Sequence, residues 1–245
     1  MIRATTAPGE RGRRLGKILD ALESFYGEQS PHWPTDPYLF LIWWQCGYPP
    51  SEERCNLGWE SLKAAVGVHP AELLAARAAT LARALKAGGM VPEIRAGRVQ
   101  SIARSVRDEF GGLSSTTLAR LPIPAARRLL RTFPGIGIPG VDRILLFATL
   151  APVAAVPSNC PHVVTRIESG AVPARYTTAY SKAQQALAAL PADYAARRRA
   201  YLLLKRHGQE LCKLKSPRCG DCPLAGRCAF ALRRARRRRP GAARS

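Results

Sequence analysis

At 245 residues the chain is long enough for one large domain or two modest ones, each with its own core. Hydrophobic residues make up 47%, which excludes a wholly disordered protein. A net charge of +21 points to a polyanionic partner, nucleic acid being the commonest, although arginine-rich coding and solubility also raise it. No stretch approaches the roughly 18 consecutive apolar residues of a membrane span. The opening MIRATTAPGERGRR lacks the apolar centre of a secretory signal, so a cytoplasmic protein with no membrane association is expected.

The chain reads as helical almost throughout. RLGKILDALESFYG (14–27) places apolar residues at helical spacing and stops at Gly27. DPYLFLIWWQCG (36–47) is apolar on nearly all sides, as in a buried central helix. HPAELLAARAATLARALKAGG (69–89) has Pro70 at its start and a Gly-Gly stop, and PEIRAGRVQSIARSVRDEFGG (92–112) repeats the scheme with Pro92 and Gly111-Gly112. Further helical patterns cover 123–133, 140–150, 181–191 and 193–211, while APVAAV (151–156) is the one weak strand candidate. The expected fold is all-α. At the end, RRARRRRPGAARS (233–245) carries too much like charge and too little apolar surface to pack. It is expected to be a disordered basic tail, either adding phosphate affinity or merely solvated.

Two motifs carry chemistry. In RTFPGIGIPGVDRILLF (131–147), Gly135 and Gly137 permit tight backbone geometry while Ile136 points into a core. Such a turn between two amphipathic helices offers backbone N–H groups at a helix N-terminus, a site for a DNA phosphate that is blind to sequence. An ordinary αα-corner is the plainer reading. The second motif is CKLKSPRCGDCPLAGRC, where Cys212, Cys219, Cys222 and Cys228 are separated by six, two and five residues. Four thiolates within seventeen residues can close around one centre, either zinc or an iron–sulfur cluster, and spacing alone does not decide. The scattered Cys46, Cys55 and Cys160 read as small buried hydrophobes.

A hydrophobic-Pro-Gly-Ile-Gly hairpin followed about seventy-five residues later by cysteines at six-two-five spacing, with LLLKRHGQELC leading in, resembles the endonuclease III/MutY branch of the helix-hairpin-helix DNA glycosylases. The resemblance covers roughly residues 15–230. It implies a bilobal all-α fold: a six-helix barrel lobe (34–150) carrying the hairpin (about 124–150), and an iron–sulfur helical lobe (151–232) with the four-cysteine loop 212–228, against which the N-terminal helix (1–33) packs. It also implies a [4Fe-4S] cluster on the four cysteines, zinc being the alternative, and a monomer that binds damaged or mismatched double-stranded DNA in the nucleoid. Lys213, Lys215, Arg218 and Arg227 would then face the DNA backbone, together with Gly135, Ile136 and Gly137.

The same resemblance exposes three departures. The family places a catalytic Asp at the entrance of the helix after the hairpin, and Val156-Pro157-Ser158-Asn159-Cys160-Pro161-His162-Val163-Val164-Thr165-Arg166 puts Pro157 there. Pro139 occupies the lyase Lys position, and the Gln that props open the DNA falls near Pro49, with Gln45 one turn earlier. Base excision needs negative charge beside an oxocarbenium-like transition state, which proline cannot supply. Asp142 and His162 are weak substitutes, while a helix-dipole partner is the plainer role for Asp142. Glu168 is a further carboxylate without an assigned direction, Tyr176 and Tyr180 offer base stacking or, more plainly, core packing, and Ser158 and Asn159 are expected to cap the helix. The expectation is a DNA-binding repair protein: a monofunctional glycosylase with an atypical site, or a lesion-binding protein that does not cut.

Overall fold

The computed structural model describes residues 8–49, 51–108 and 113–238. Among these residues it is all-helical, the only β-type pairing being an isolated bridge between Tyr48 and Gly89, so APVAAV is not a strand. No described helix is long and apolar enough to cross a membrane. The chain divides into two compact units, one formed by 1–30 with 152–245 and the other by 31–151.

In chain order the helices are α1 (Pro8–Tyr26), α2 (Pro37–Gln45), α3 (Glu52–Ala65), α4 (Pro70–Ala75), α5 (Ala78–Leu85), α6 (Pro92–Asp108), α7 (Ser115–Ala119), α8 (Ile123–Leu130) and α9 (Ile138–Phe147). They continue with α10 (Pro161–Ser169), α11 (Tyr176–Leu187), α12 (Tyr194–Glu210) and α13 (Ala229–Arg238).

The unit 31–151 is built around α2. Asp36 caps it by accepting from the Leu39 N–H, Pro37 occupies the first turn, and Leu41, Ile42 and Trp43 are fully buried. The stretch 69–89 is not one helix. It breaks at Ala76 and Arg77, both extended, because Gln100 from α6 donates to the carbonyls of Leu73 and Ala76 and so terminates α4. A capping box between His69 and Glu72 starts the same short helix. The expected Gly111-Gly112 stop of α6 lies outside the described residues.

The unit 1–30 with 152–245 packs α1 against α10 and α12. Leu15, Ile18, Leu19 and Leu22, one face of α1, are buried in a core with Val163, Val164 and Ile167 of α10 and Leu203 and Leu204 of α12. Ion pairs from Arg14 to Glu168 and from Arg199 to Asp20 and Glu23 tie α1 to α10 and α12. Arg197, itself buried, donates to the carbonyls of Leu187, Ala188 and Leu190 and so caps the end of α11. The basic segment expected to be disordered from 233 is helical as far as Arg238, the end of α13, because Ala231 packs into this core and anchors its first turns. Residues 239–245 of that segment lie outside the described residues.

Candidate nucleic-acid interface and metal centre

The hairpin α8–α9 has the geometry its glycines permit. Gly135 adopts φ +74°, a left-handed conformation open to glycine at little cost, and its neighbour Gly137 is the N-cap of α9. Both glycines are exposed, whereas Ile136 is only 6% exposed and its side chain points into the core. No side chain caps the first turn of α9, which leaves that end suited to an anion. From α2, Gln45 donates to the Pro134 carbonyl at 2.8 Å and Trp44 donates to the Gly135 carbonyl at 3.2 Å. Gln45 is therefore buried as a brace for the hairpin, while Pro49 is exposed. Pro139 sits in the first turn of α9, where a missing N–H costs little.

Asp142 is fully buried and pairs with Arg127, joining α9 to α8. Its role in the structure is to close the hairpin rather than to face solvent at a helix mouth. Nearby in the same unit, Arg95 is 2% exposed and donates to the carbonyls of Cys46, Leu85, Gly89 and Met90. That network presents Met90 at the tip of a loop. Met90 is 60% exposed, Tyr48 is bonded to it through the backbone, and Val91 beside it has φ +50°. A β-branched residue at positive φ is strained, and strain of this kind collects at functional sites. This exposed apolar tip escaped the sequence reading, in which the Gly-Gly stop was its only signal.

In the other unit, Pro157 is buried and begins a tight turn in which its carbonyl accepts from the Cys160 N–H at 2.9 Å. The N-cap of α10 is Cys160, with no side-chain capping bond, followed by Pro161 at N1. Ser158 and Asn159 thus lie in the turn instead of capping the helix, because the turn closes one residue later than they allow. Burial pushes the Cys160 thiol up to about 11, which leaves it unreactive near neutral pH. Glu168 is taken up by Arg11 and Arg14. Tyr180 is core, while Tyr176 is half-exposed above it.

His162 is not at an open mouth either. It is 4% exposed and its Nε2 lies 2.7 Å from the Cys212 carbonyl. A carbonyl only accepts, so that nitrogen carries the proton, and burial holds the ring's pKa below the usual imidazole value. Arg166, one turn further along α10, donates to the carbonyls of Lys213 and Leu214 at 2.9 and 2.6 Å and to the Cys212 sulfur at 3.5 Å. Two residues of α10 therefore anchor the start of the cysteine loop.

Cys212, Cys219, Cys222 and Cys228 all line one cavity, walled by Ile167, Leu211, Leu224 and Phe230. No group of three or more His, Cys, Asp or Glu among the described residues forms a single-ion site. The donors around the sulfurs suit a thiolate-bound centre. The Leu224 N–H points at Cys222 at 3.4 Å, and Arg166, which lines the same cavity, has a buried Nε with no hydrogen-bond partner. Burial raises the thiols of Cys212 and Cys228 and pushes Cys222 up to about 11, so filling the site must displace protons. On the same loop Lys213, Lys215, Arg218 and Arg227 are exposed; Arg218 shares its charge with Asp221 at 2.7 Å.

No protein-family model matches the chain. It is 30% identical over 167 residues to an adenine DNA glycosylase of Mycolicibacterium smegmatis, a match covering 68% of this chain and 50% of that one. The chain thus spans about half the length of the curated relative it matches. Among solved structures, a trapped endonuclease III–DNA covalent intermediate superposes with a TM-score of 0.71 at 18% identity, covering 91% of this chain and 98% of the other. A thermostable thymine-DNA glycosylase gives 0.70 at 18% identity over 90% and 98%. The chain therefore has the all-helical fold of endonuclease III and of the thymine-DNA glycosylase, and over 167 residues it is similar in sequence to an adenine DNA glycosylase.

Proposed function

We propose that this chain binds double-stranded DNA containing a damaged or mismatched base and acts, as a monomer in the nucleoid, as a monofunctional DNA glycosylase with an atypical active site. The observation that carries this reading is the α8–Pro-Gly-Ile-Gly–α9 hairpin, with exposed Gly135 and Gly137 and an uncapped helix start that suits a phosphate. The exposed lysines of the cysteine loop add sequence-independent phosphate contacts. The apolar tip at Met90 and Tyr48 suits insertion between base steps, which assists the flipping that excision requires. Pro139 leaves no amine at the lyase position, so a Schiff-base step is not part of the proposal.

The relative's printed activity, an adenine DNA glycosylase, supports excision. One set of observations favours a second reading, lesion binding without cleavage. Pro157 is locked in a turn, and the candidate substitutes Asp142 and His162 are both buried in structural contacts. Single-turnover excision across a panel of lesion duplexes separates the two. A glycosylase releases base from at least one duplex. Tight lesion binding with no release, and release appearing only in Pro157→Asp, establishes the binder.

For the cofactor we propose a [4Fe-4S] cluster on Cys212, Cys219, Cys222 and Cys228, supported by the six-two-five spacing and the shared cavity. When bound it supplies four metal–thiolate bonds that cross-link the loop. His162 and Arg166 hold the loop's backbone in place, and the apolar wall excludes water. A colourless protein with stoichiometric zinc and no iron overturns this assignment in favour of zinc.

A further inference from the structure

We propose that Tyr26 and His207 form a hydrogen-bonded pair through which the N-terminal helix tunes the metal centre, His207 donating to the sulfur of Cys222. The inference rests on the four-cysteine centre proposed above.

Tyr26 is the last residue of α1 and His207 lies near the end of α12. The Tyr26 hydroxyl is 3.0 Å from His207 Nδ1, and His207 Nε2 is 3.6 Å from Cys222 Sγ. The imidazole is 1% exposed and lines the same cavity as the four cysteines, so no bulk water competes for either nitrogen. A metal-bound thiolate is an acceptor only, and the nitrogen facing it must carry the ring proton. That leaves Nδ1 as an acceptor, and the tyrosine hydroxyl is the donor that holds this tautomer. Outer partners of this kind orient imidazoles at metal sites, and N–H groups directed at cluster sulfurs raise the reduction potential by stabilising the more negative, reduced state. Tyr26 touches no cysteine itself. It is a positioning residue acting through His207.

The test uses the purified holoprotein and Tyr26→Phe, which keeps the ring and removes only the hydroxyl. Iron and sulfide content and the visible spectrum are expected to match wild type, while the reduction potential, read by an EPR-monitored titration, shifts negative. His207→Leu should shift it in the same direction, and adding Tyr26→Phe to it should produce no further shift. An unchanged potential in Tyr26→Phe at full iron content overturns the inference while leaving the cluster in place. Zinc in place of iron overturns the cluster reading instead. In that case nitrogen NMR of His207 still decides the pair: the Nδ1 resonance must move in Tyr26→Phe as its hydrogen-bond donor is lost, and an unmoved Nδ1 resonance overturns the pairing.

Discussion

Single residues in this chain often do something other than their type suggests. Arginine supplies most of the positive charge, yet Arg95, Arg143, Arg166 and Arg197 are buried. Arg95, Arg166 and Arg197 spend their donors on main-chain carbonyls, and Arg143 lies 3.6 Å from the centre of the Trp33 ring while pairing with Glu52. The planar, five-donor guanidinium suits that task better than an ammonium would. Part of the basic count that points to nucleic acid is therefore internal scaffolding. Asp142 shows the same conversion for a carboxylate, since its location inside the hairpin pairs it with Arg127. Replacing Arg127 with Met removes a charged contact from that buried carboxylate and should cost about 3 kcal/mol of stability. Urea denaturation measures the loss as a lower midpoint at unchanged slope.

At the scale of elements, the helices were legible wherever periodicity and punctuation agreed. Prolines at the starts of α4 and α6, and apolar residues at helical spacing, marked them in the sequence. What escaped were α3 and α7, whose segments showed no pattern that was singled out, and boundaries imposed from outside the element. The break between α4 and α5 has no glycine or proline; it exists because Gln100 satisfies the end of α4. The last helix, α13, was hidden by its arginines, although Phe230 and Ala231 pack its first turn against the core. The contact of α12 with α10 was equally invisible. A side chain on Gly208 would overlap the Cys160 thiol and come within 3.0 Å of Val163. Gly208→Ala should thus overpack this crossing by about 1–3 kcal/mol. In a protein of this size that lowers Tm by about 2–4 °C for each kcal/mol, as a thermal melt would record.

For the whole molecule, the charge of +21 makes a prediction that no single residue does. If Lys213 and Lys215 neutralise phosphates, DNA affinity falls steeply with salt, and replacing either with Ala should reduce the slope of log K against log salt by about 1. Fluorescence anisotropy over a salt series tests this, and an unchanged slope removes that lysine from the interface. The sequence by itself determined the helical class, the hairpin motif and the four cysteines, because these depend on local periodicity, glycine conformation and short spacing. Through family resemblance alone it also raised the expectation that Pro157 and Pro139 stand where the glycosylases carry charged groups. Only the tertiary structure decided what the remaining polar residues do. Asp142, His162, Gln45 and Glu168 were all plausible at an open site, and each is held by a partner distant in sequence, such as His162 by the Cys212 carbonyl. Burial and hydrogen-bond partnership are properties of chain segments brought together, as α1 is with residues beyond 152. A hydrophobic pattern records that a face is covered, but not by what.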